Sequence, residues 1–546
     1  MSKLSVPHGV TGTADVVRIG LPLLREEQDA CASGRALRAR QLLRDERRPR
    51  RKPVEDFFFK PVQGMLDAVE HHGQALEAAQ RDSRHARNCH PMHAEWAREA
   101  TSVYLAARAQ EEAARVASGH APTFPVAAEW VSIDRLREPD ARGITQYERT
   151  VWGRRYATGD GRLREIWIPS IGAANKDRSA VEIAAAAAVT ATGVPARAPY
   201  RQRYKQLDHD VVRPERVRVV AVGLGDGSVE VLADWDAYEA TDRFARLAKP
   251  RYAAVVDGRT LRPGSDCLAC EGLSACTAIR EVPGLLGVPA PARPRKRRSL
   301  SASDLRCYES CPARFHLTRT LNIRDGRAEN EAIRRGRAVD SWLNERHRRQ
   351  PRIPCRELPL PASLPGLAGE EAAPALAMLR RHRAHCPLDG LPPDATVRSQ
   401  WRLAAYDSTA DVVVIADPDL LYTERGGWVW RETKTAKTRS WGGRPLLRTY
   451  PQLALAVLMM ASGVLGGDPR HSRIELELLR EDGSACEEID PFDETTVDQA
   501  RTVITYLAAG WAADEEYAAT PGEHCSECEV QRWCQVRRDD AMEAHR

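Results

Sequence analysis

Short runs of alternating polar and apolar, β-prone residues recur along the chain, separated by Ala- and Leu-rich stretches of helical period. In the first half, Tyr147 to Tyr156 and Leu163 to Ile168 read as strands and Ser179 to Ala191 as a helix. In the second half, Val397 to Ala405 and Trp428 to Thr433 read as strands, and Leu446 to Ala461 as a helix. Each set is followed by the same turn signal between β-prone runs, Asp226-Gly227-Ser228 and Asp482-Gly483-Ser484, as in a hairpin. Beyond each turn lies an amphipathic stretch, from Asp234 and from Asp490, whose acidic opening suits a helix N-terminus. The order strand, strand, helix, hairpin, helix thus occurs twice, which predicts an α/β chain built from two copies of one module.

The cysteines extend the repeat. Cys267, Cys270 and Cys276 form C-x2-C-x5-C, and Cys525, Cys528 and Cys534 form the same pattern near the C-terminus. The triplets begin 41 and 43 residues after Asp226 and Asp482. Four thiolates can hold either tetrahedral zinc or an iron-sulfur cluster, and the spacing alone chooses neither. Between Val282 and Ser299 the chain reads VPGLLGVPAPARPRKRRS, where Pro, Gly and consecutive cations replace any period. An exposed linker over 285–299 is therefore expected between domains 1–284 and 300–546. The cations Arg295, Lys296, Arg297 and Arg298, like the run from Arg47 to Lys52, read as solvated charge.

Composition changes this picture little. The 546 residues are 42% hydrophobic and 29% charged, ordinary globular usage that supports buried cores and excludes disorder throughout. Lys+Arg 81 against Asp+Glu 76 leaves a net charge of +5, too mild to mark a nucleic-acid partner by itself. Only nine of the cations are lysines, so each lysine is informative. The arginine excess fits GC-rich coding and also suits bidentate phosphate contacts. The longest apolar run, Leu453 to Ala461, has the length of a core helix and not of a membrane span. MSKLSVPHGV contains no apolar signal region, so a reducing cytoplasm is expected, with the 13 cysteines serving as thiols or metal ligands.

The candidate chemistry lies in the second half. The strand-like ADVVVIADPDLLYTE carries Asp419, and after a Gly426-Gly427 turn the strand WVWRETKT carries Glu432 and Lys434 on one face. If the two runs pair as a hairpin, two carboxylates and an ammonium converge. Such hard oxygen ligands suit Mg²⁺ or Mn²⁺, and the set suits phosphodiester hydrolysis. An ordinary cross-strand ion pair is the competing explanation.

From Ser299 to the C-terminus the chain resembles the PD-(D/E)xK nucleases of the RecB-like exonuclease family, especially their iron-sulfur branch, which contains AddB and CRISPR-associated RecB-like exonucleases. The resemblance rests on SLSASDLRCYESCPARFHL, on ADPDLL, on Glu432-x-Lys434, on TYPQLALA and on the last cysteine triplet. It implies a mixed sheet flanked by helices and a metal-dependent deoxyribonuclease, with exonuclease action on single strands or ends expected. It assigns metal binding to Asp419 and Glu432, a catalytic role to Lys434 and Gln452, and a 4Fe-4S cluster to Cys311, Cys525, Cys528 and Cys534. Two positions depart: Ala456 stands where the family has tyrosine, and Asp340 where it has histidine, although Asp340 can still ligate a hard metal. Cys307 is the alternative to Cys311, and Cys355, Cys386 and Cys486 read as plain thiols.

The first half looks like a degenerate copy. Aligned by the shared turn, Glu165 matches Glu432, and Trp167 falls at the position of Lys434. A second cluster, 4Fe-4S or zinc, would use Cys267, Cys270, Cys276 and a fourth ligand. Cys89 leads because Cys-x-Pro echoes Cys311-Pro312; Cys31 is next, then His90 or His93. Two functions follow: a deoxyribonuclease in DNA repair, recombination or defence against foreign DNA, or a catalytically weak DNA-binding scaffold. The chain has no G-x4-G-K-[ST] loop, so unwinding would fall to a separate helicase or other DNA-processing subunit.

Overall fold

The computed structural model describes residues 6–27, 29–47, 57–87, 89–137, 144–197, 205–293, 295–325, 330–367, 369–436 and 445–536. The basic run after Arg47 lies outside the described residues. Among the described residues are three five-stranded mixed sheets, two in the first half and one in the second; two of them, one from each half, share a layout. The first runs in the spatial order Thr123–Pro125, Arg154–Thr158, Leu163–Ser170, Arg216–Gly223, Val229–Asp236. The second runs Val397–Ser399, Leu420–Glu424, Gly427–Thr435, Arg473–Leu479, Ser484–Ile489. In both sheets the third and fourth strands are parallel and every other neighbouring pair is antiparallel.

Parallel neighbours need a crossover, and each half supplies a buried helix. In the first half it is Ala180–Thr192, which Ser179 caps through the backbone N–H of Glu182. In the second it is Pro451–Ala461, apolar around its whole circumference because it is buried on nearly every side. Both Asp-Gly-Ser turns join hairpins, and the helices that follow are capped by Asp236 and Asp493. Between Leu420–Glu424 and Gly427–Thr435, Arg425 and Gly426 both adopt left-handed backbone (φ 49° and 80°), which a two-residue hairpin loop with matching twist requires.

Two expected strands are each divided between sheets. Tyr147 to Tyr156 comprises Ile144–Thr150, which pairs with Glu129–Arg137, and Arg154–Thr158 in the main sheet. Gly153 makes the switch possible, because a Cβ there would lie 2.5 Å from the carbonyl oxygen of Trp167. Val397 to Ala405 likewise divides at Gln400 (φ 49°), and Leu403–Asp407 pairs with Val412–Ala416 in a separate four-stranded sheet. ADVVVIADPDLLYTE breaks at Pro418, which has no N–H to offer a ladder, so one strand ends at Ala416 and Asp419 stands just before the hairpin strand Leu420–Glu424.

The segment expected to be an exposed linker is packed in part, with Lys296 and the stretch 289–290 exposed. Leu285, Leu286 and Val288 are buried in the second-half core, and Arg298–Leu300 pairs with Val412–Ala416. Arg297 is 2% exposed: it donates to Asp411 and to the carbonyls of Cys267 and Cys270. A charge cluster reads as solvated unless its backbone and carboxylate partners are known, and here those partners come from both halves. The halves also interlock. Helix Pro91–Ala117 of the first half shares a core with Cys311, Cys528 and Trp533, whereas Cys267 and Leu273 pack on Ala404 and Val413 of the second.

Candidate active site

The acidic cluster forms where the second sheet meets helix Glu331–His347. Glu432 and Lys434 leave the same face of Gly427–Thr435, and Asp419 lies one step before the strand that pairs with it. Lys434 Nζ is 3.0 Å from Glu432 Oε2 and 3.4 Å from Asp419 Oδ2. Asp419 Oδ2 also accepts from the Thr433 backbone N–H at 2.8 Å, and Glu432 Oε1 from the Trp430 indole at 3.0 Å. Asp340 projects from its helix into the same group: Gln400 Nε2 spans Asp419 Oδ1 (3.1 Å) and Asp340 Oδ1 (3.4 Å), and Asn344 donates to Asp340 Oδ2.

The electrostatics are those of three crowded carboxylates facing one ammonium. Burial, opposed by Lys434 and reinforced by Asp419, raises the Glu432 carboxyl above its usual range. Burial and then Asp419 raise Asp340 as well. Burial disfavours the charge on Lys434, but Glu432 and Asp419 outweigh it and keep the ammonium protonated. Carboxylates held this close are relieved by a further cation, so the donor set fits a hard divalent ion at Asp340, Asp419 and Glu432. Gln452 sits half-buried in the first turn of Pro451–Ala461, and among the described residues no hydrogen bond of the cluster reaches it. Sequence reasoning missed Gln400 and Trp430; the left-handed backbone that turns Gln400 into the site leaves no mark in composition.

At the corresponding place in the first half the chemistry is different. The residues three positions before the two turns, Gly223 and Leu479, pair with Ser170 and Thr435. Counting back along the strands sets Trp167 at the place of Glu432 and Pro169 at that of Lys434. Arg154 pairs with Trp167, and so stands where Asp419 would. The expected match of Glu165 with Glu432 is therefore two residues out of register, a slip that leaves every side chain on the same face and is invisible to the alternation pattern. Glu165 is fully buried and lies against Arg218, Arg115 and the Trp167 indole. Arg154 pairs with Asp67 and Glu70.

Cys311, Cys525, Cys528 and Cys534 line one cavity of about 450 Å³, together with Met92. Cys307 instead lies 3.9 Å from Thr318 Oγ1, outside that lining. In the first half Cys31, not Cys89, joins the triplet. Cys31 is held by Asp266 and lies against Arg262, and its thiol adds to the repulsion at Cys267 and Cys270. Burial pushes those two thiols up to about 11 and about 12, and the neighbouring thiols push the same way, so a cation would favour their ionisation. Cys89 precedes the helix whose His90 meets the carbonyl of Tyr517 and whose Met92 faces the other quartet, and His93 meets the carbonyl of Phe58. A Cys-x-Pro echo is local, whereas ligand sets are assembled over long range. Of the three cysteines read as plain thiols, Cys486 is exposed, but Cys355 and Cys386 gather with His347 and His382 in a buried group.

The family model of the PD-(D/E)XK nuclease superfamily matches residues 299–535, the part of the chain that holds the acidic cluster and the second cysteine quartet. Among solved structures, one titled "Crystal structure of SSO0001" is similar at 14% identity over 45% of this chain and 89% of that chain, with a TM-score of 0.24. No curated protein matches. No helix among the described residues is long and apolar enough to cross a membrane.

Proposed function

We propose that the protein is a divalent-metal-dependent deoxyribonuclease with one hydrolytic centre, made by Asp340, Asp419, Glu432 and Lys434, and that its first half is a non-catalytic copy of the same module. The observation that carries this is the convergence of three carboxylates and one ammonium within a region that matches the nuclease family model. An Mg²⁺ or Mn²⁺ ion there would supply Lewis acidity toward the scissile phosphate. Asp419, Glu432 and Asp340 would hold it, with Gln400 and the Thr433 N–H fixing the Asp419 carboxylate. Lys434, about one-third exposed, orients the attacking water and offsets charge developing on the phosphate.

The shared strand order and pairing sense of the two sheets support the duplicated module. Four thiols around one cavity suit a 4Fe-4S cluster tying the C-terminal segment to Cys311, and Cys31 with its triplet suits a second; zinc is the alternative at both. Single strands or DNA ends are the substrate this reading favours, in repair, recombination or defence in the cytoplasm beside a separate helicase subunit. The fully buried Ala456, where the family has tyrosine, favours a second reading as a weakly active DNA-binding scaffold. Cleavage of labelled single- and double-stranded DNA with Mg²⁺ or Mn²⁺ decides between them. Metal-dependent products that vanish in Lys434→Ala support the nuclease; DNA binding with no cleavage under any metal supports the scaffold.

A further inference from the structure

His347, Cys355, His382 and Cys386 meet in the second half, outside the acidic centre and both cysteine quartets. All four are buried, and one ligand atom from each lies within 4.8 Å of every other. They come from three places: His347 ends helix Glu331–His347, Cys355 opens the turn Cys355–Glu357, and His382 ends helix Ala372–His382 with Cys386 one turn further on. His347 Nε2 is 3.5 Å from Cys355 Sγ, and the two imidazole centroids are 5.4 Å apart. Around them lies an apolar shell that includes Val339, Trp342, Leu343 and Leu379.

One feature separates this group from an ordinary polar cluster. His382 Nδ1 is 2.9 Å from both carboxylate oxygens of Glu477, which is itself fully buried and paired with Arg431. That contact orients the imidazole with Nδ1 toward the carboxylate and Nε2 away from it. Nε2 is buried and lies on the edge of the ring away from Glu477, and the His382 ring also interacts with Cys386 of the same group. A carboxylate behind a histidine whose other nitrogen faces a ligand set is the outer-shell arrangement that orients metal-bound imidazoles.

We infer that His347, Cys355, His382 and Cys386 form a structural zinc site. Two thiolates and two imidazoles are a standard closed zinc donor set, and with Zn²⁺ their total charge is zero, which suits a buried apolar pocket. The edges of a tetrahedral site with such ligands measure about 3.3–3.8 Å, within the span these atoms already occupy. Open coordination positions are absent from such a set, so the ion would brace the fold. It would tie helix Glu331–His347 to helix Ala372–His382 and, through Glu477, to strand Arg473–Leu479. The same first helix carries Asp340 two turns before His347, so the site would also steady one wall of the acidic centre.

The test is metal analysis of the full-length protein after growth with zinc, with the two cysteine quartets counted separately by iron and by Cys525→Ser and Cys267→Ser variants. The expected result is about one zinc per chain that survives both quartet variants and is lost in Cys355→Ala/Cys386→Ala. Replacement by Co²⁺ should give the visible absorption of a tetrahedral thiolate site, again lost in the double variant. If the double variant does not fold, peptide-mapped alkylation of unmutated protein answers instead: Cys355 and Cys386 should become reactive when a strong chelator removes the zinc and be protected again on its return. Zinc content unchanged by the double variant, or alkylation of Cys355 and Cys386 indifferent to chelator and zinc, overturns the assignment.

Discussion

The two matching five-stranded sheets share strand order and pairing sense, yet at the place where one gathers Asp419, Glu432 and Lys434 the other has Arg154, Trp167 and Pro169. The difference lies in charge rather than in scaffold. In the second half three carboxylates crowd one ammonium and would accept a further cation; in the first, Arg154 is answered by Asp67 and Glu70, and an indole fills the space of the second carboxylate. Two sheets can thus share strand order while only one carries groups that would hold a metal, because strand pairing depends on backbone and burial and catalysis on a few side chains at one edge.

The sharpest way to break the comparison is to remove the acidic centre. Asp419→Ala, Glu432→Ala and Lys434→Ala should each reduce metal-dependent DNA cleavage by about 10³-fold or more while leaving DNA binding and the thermal midpoint near their original values. Cleavage that persists in all three, measured on labelled oligonucleotides, would move the active centre elsewhere, with the first half as the next place to look.

The converse change tests the first half. Glu165 is fully buried and answers Arg218 and Arg115, with Arg108 4.0 Å away. Glu165→Gln removes the carboxylate these cations share, leaving Glu111 to Arg218 and Glu112 to Arg108 and Arg115, and should cost about 1–3 kcal/mol of stability, read by chemical denaturation. Cleavage per folded molecule should not change. If the variant is stable but inactive, the wrong half has been assigned as the silent one.

A third measurement compares the cysteine quartets. In protein reconstituted without oxygen, about eight irons per chain are expected if both hold 4Fe-4S clusters. Cys31→Ser should remove about half of them, and Cys89→Ser none. Equal losses from both variants, or zinc in place of iron throughout, would redraw the ligand set or the cofactor respectively.

Where sequence and structure agree, the reason is local order. Glu432 and Lys434 were readable as one face of a strand, and the hairpin from the glycines at its turn. What escaped reading is set by long-range partners. Cys31 meets its triplet across the first half, Gln400 reaches Asp340 and Asp419 only through a left-handed kink, and Arg297 of the basic linker is buried because it finds Asp411 and two distant carbonyls. The two-residue slip of Glu165 against Glu432 preserves the alternation of sides, so only ladder register exposes it. His347, Cys355, His382 and Cys386 are spread too widely to form a familiar spacing.

The smallest expected effect is a pH dependence that the first half should lack. Burial raises the carboxyls of Glu432 and Asp340, and Asp419 adds to both shifts, with Lys434 opposing. A raised carboxyl holds its proton to a higher pH, and a divalent ion binds the ionised form, so lowering the pH makes protons compete with the metal. The Mg²⁺ concentration that half-saturates cleavage should therefore rise as the pH falls through this raised range, by up to about tenfold per pH unit for each proton displaced. Asp340→Asn removes one of the competing protons and should flatten the dependence, leaving the part due to Glu432. Because Trp167 and Pro169 offer no titrating group at the corresponding place, Trp167→Ala should leave the Mg²⁺ profile of the folded protein unchanged at every pH. A half-saturation that is flat with pH in the unmutated protein would mean that the metal does not displace those protons, and that Glu432 and Asp340 are not both its ligands.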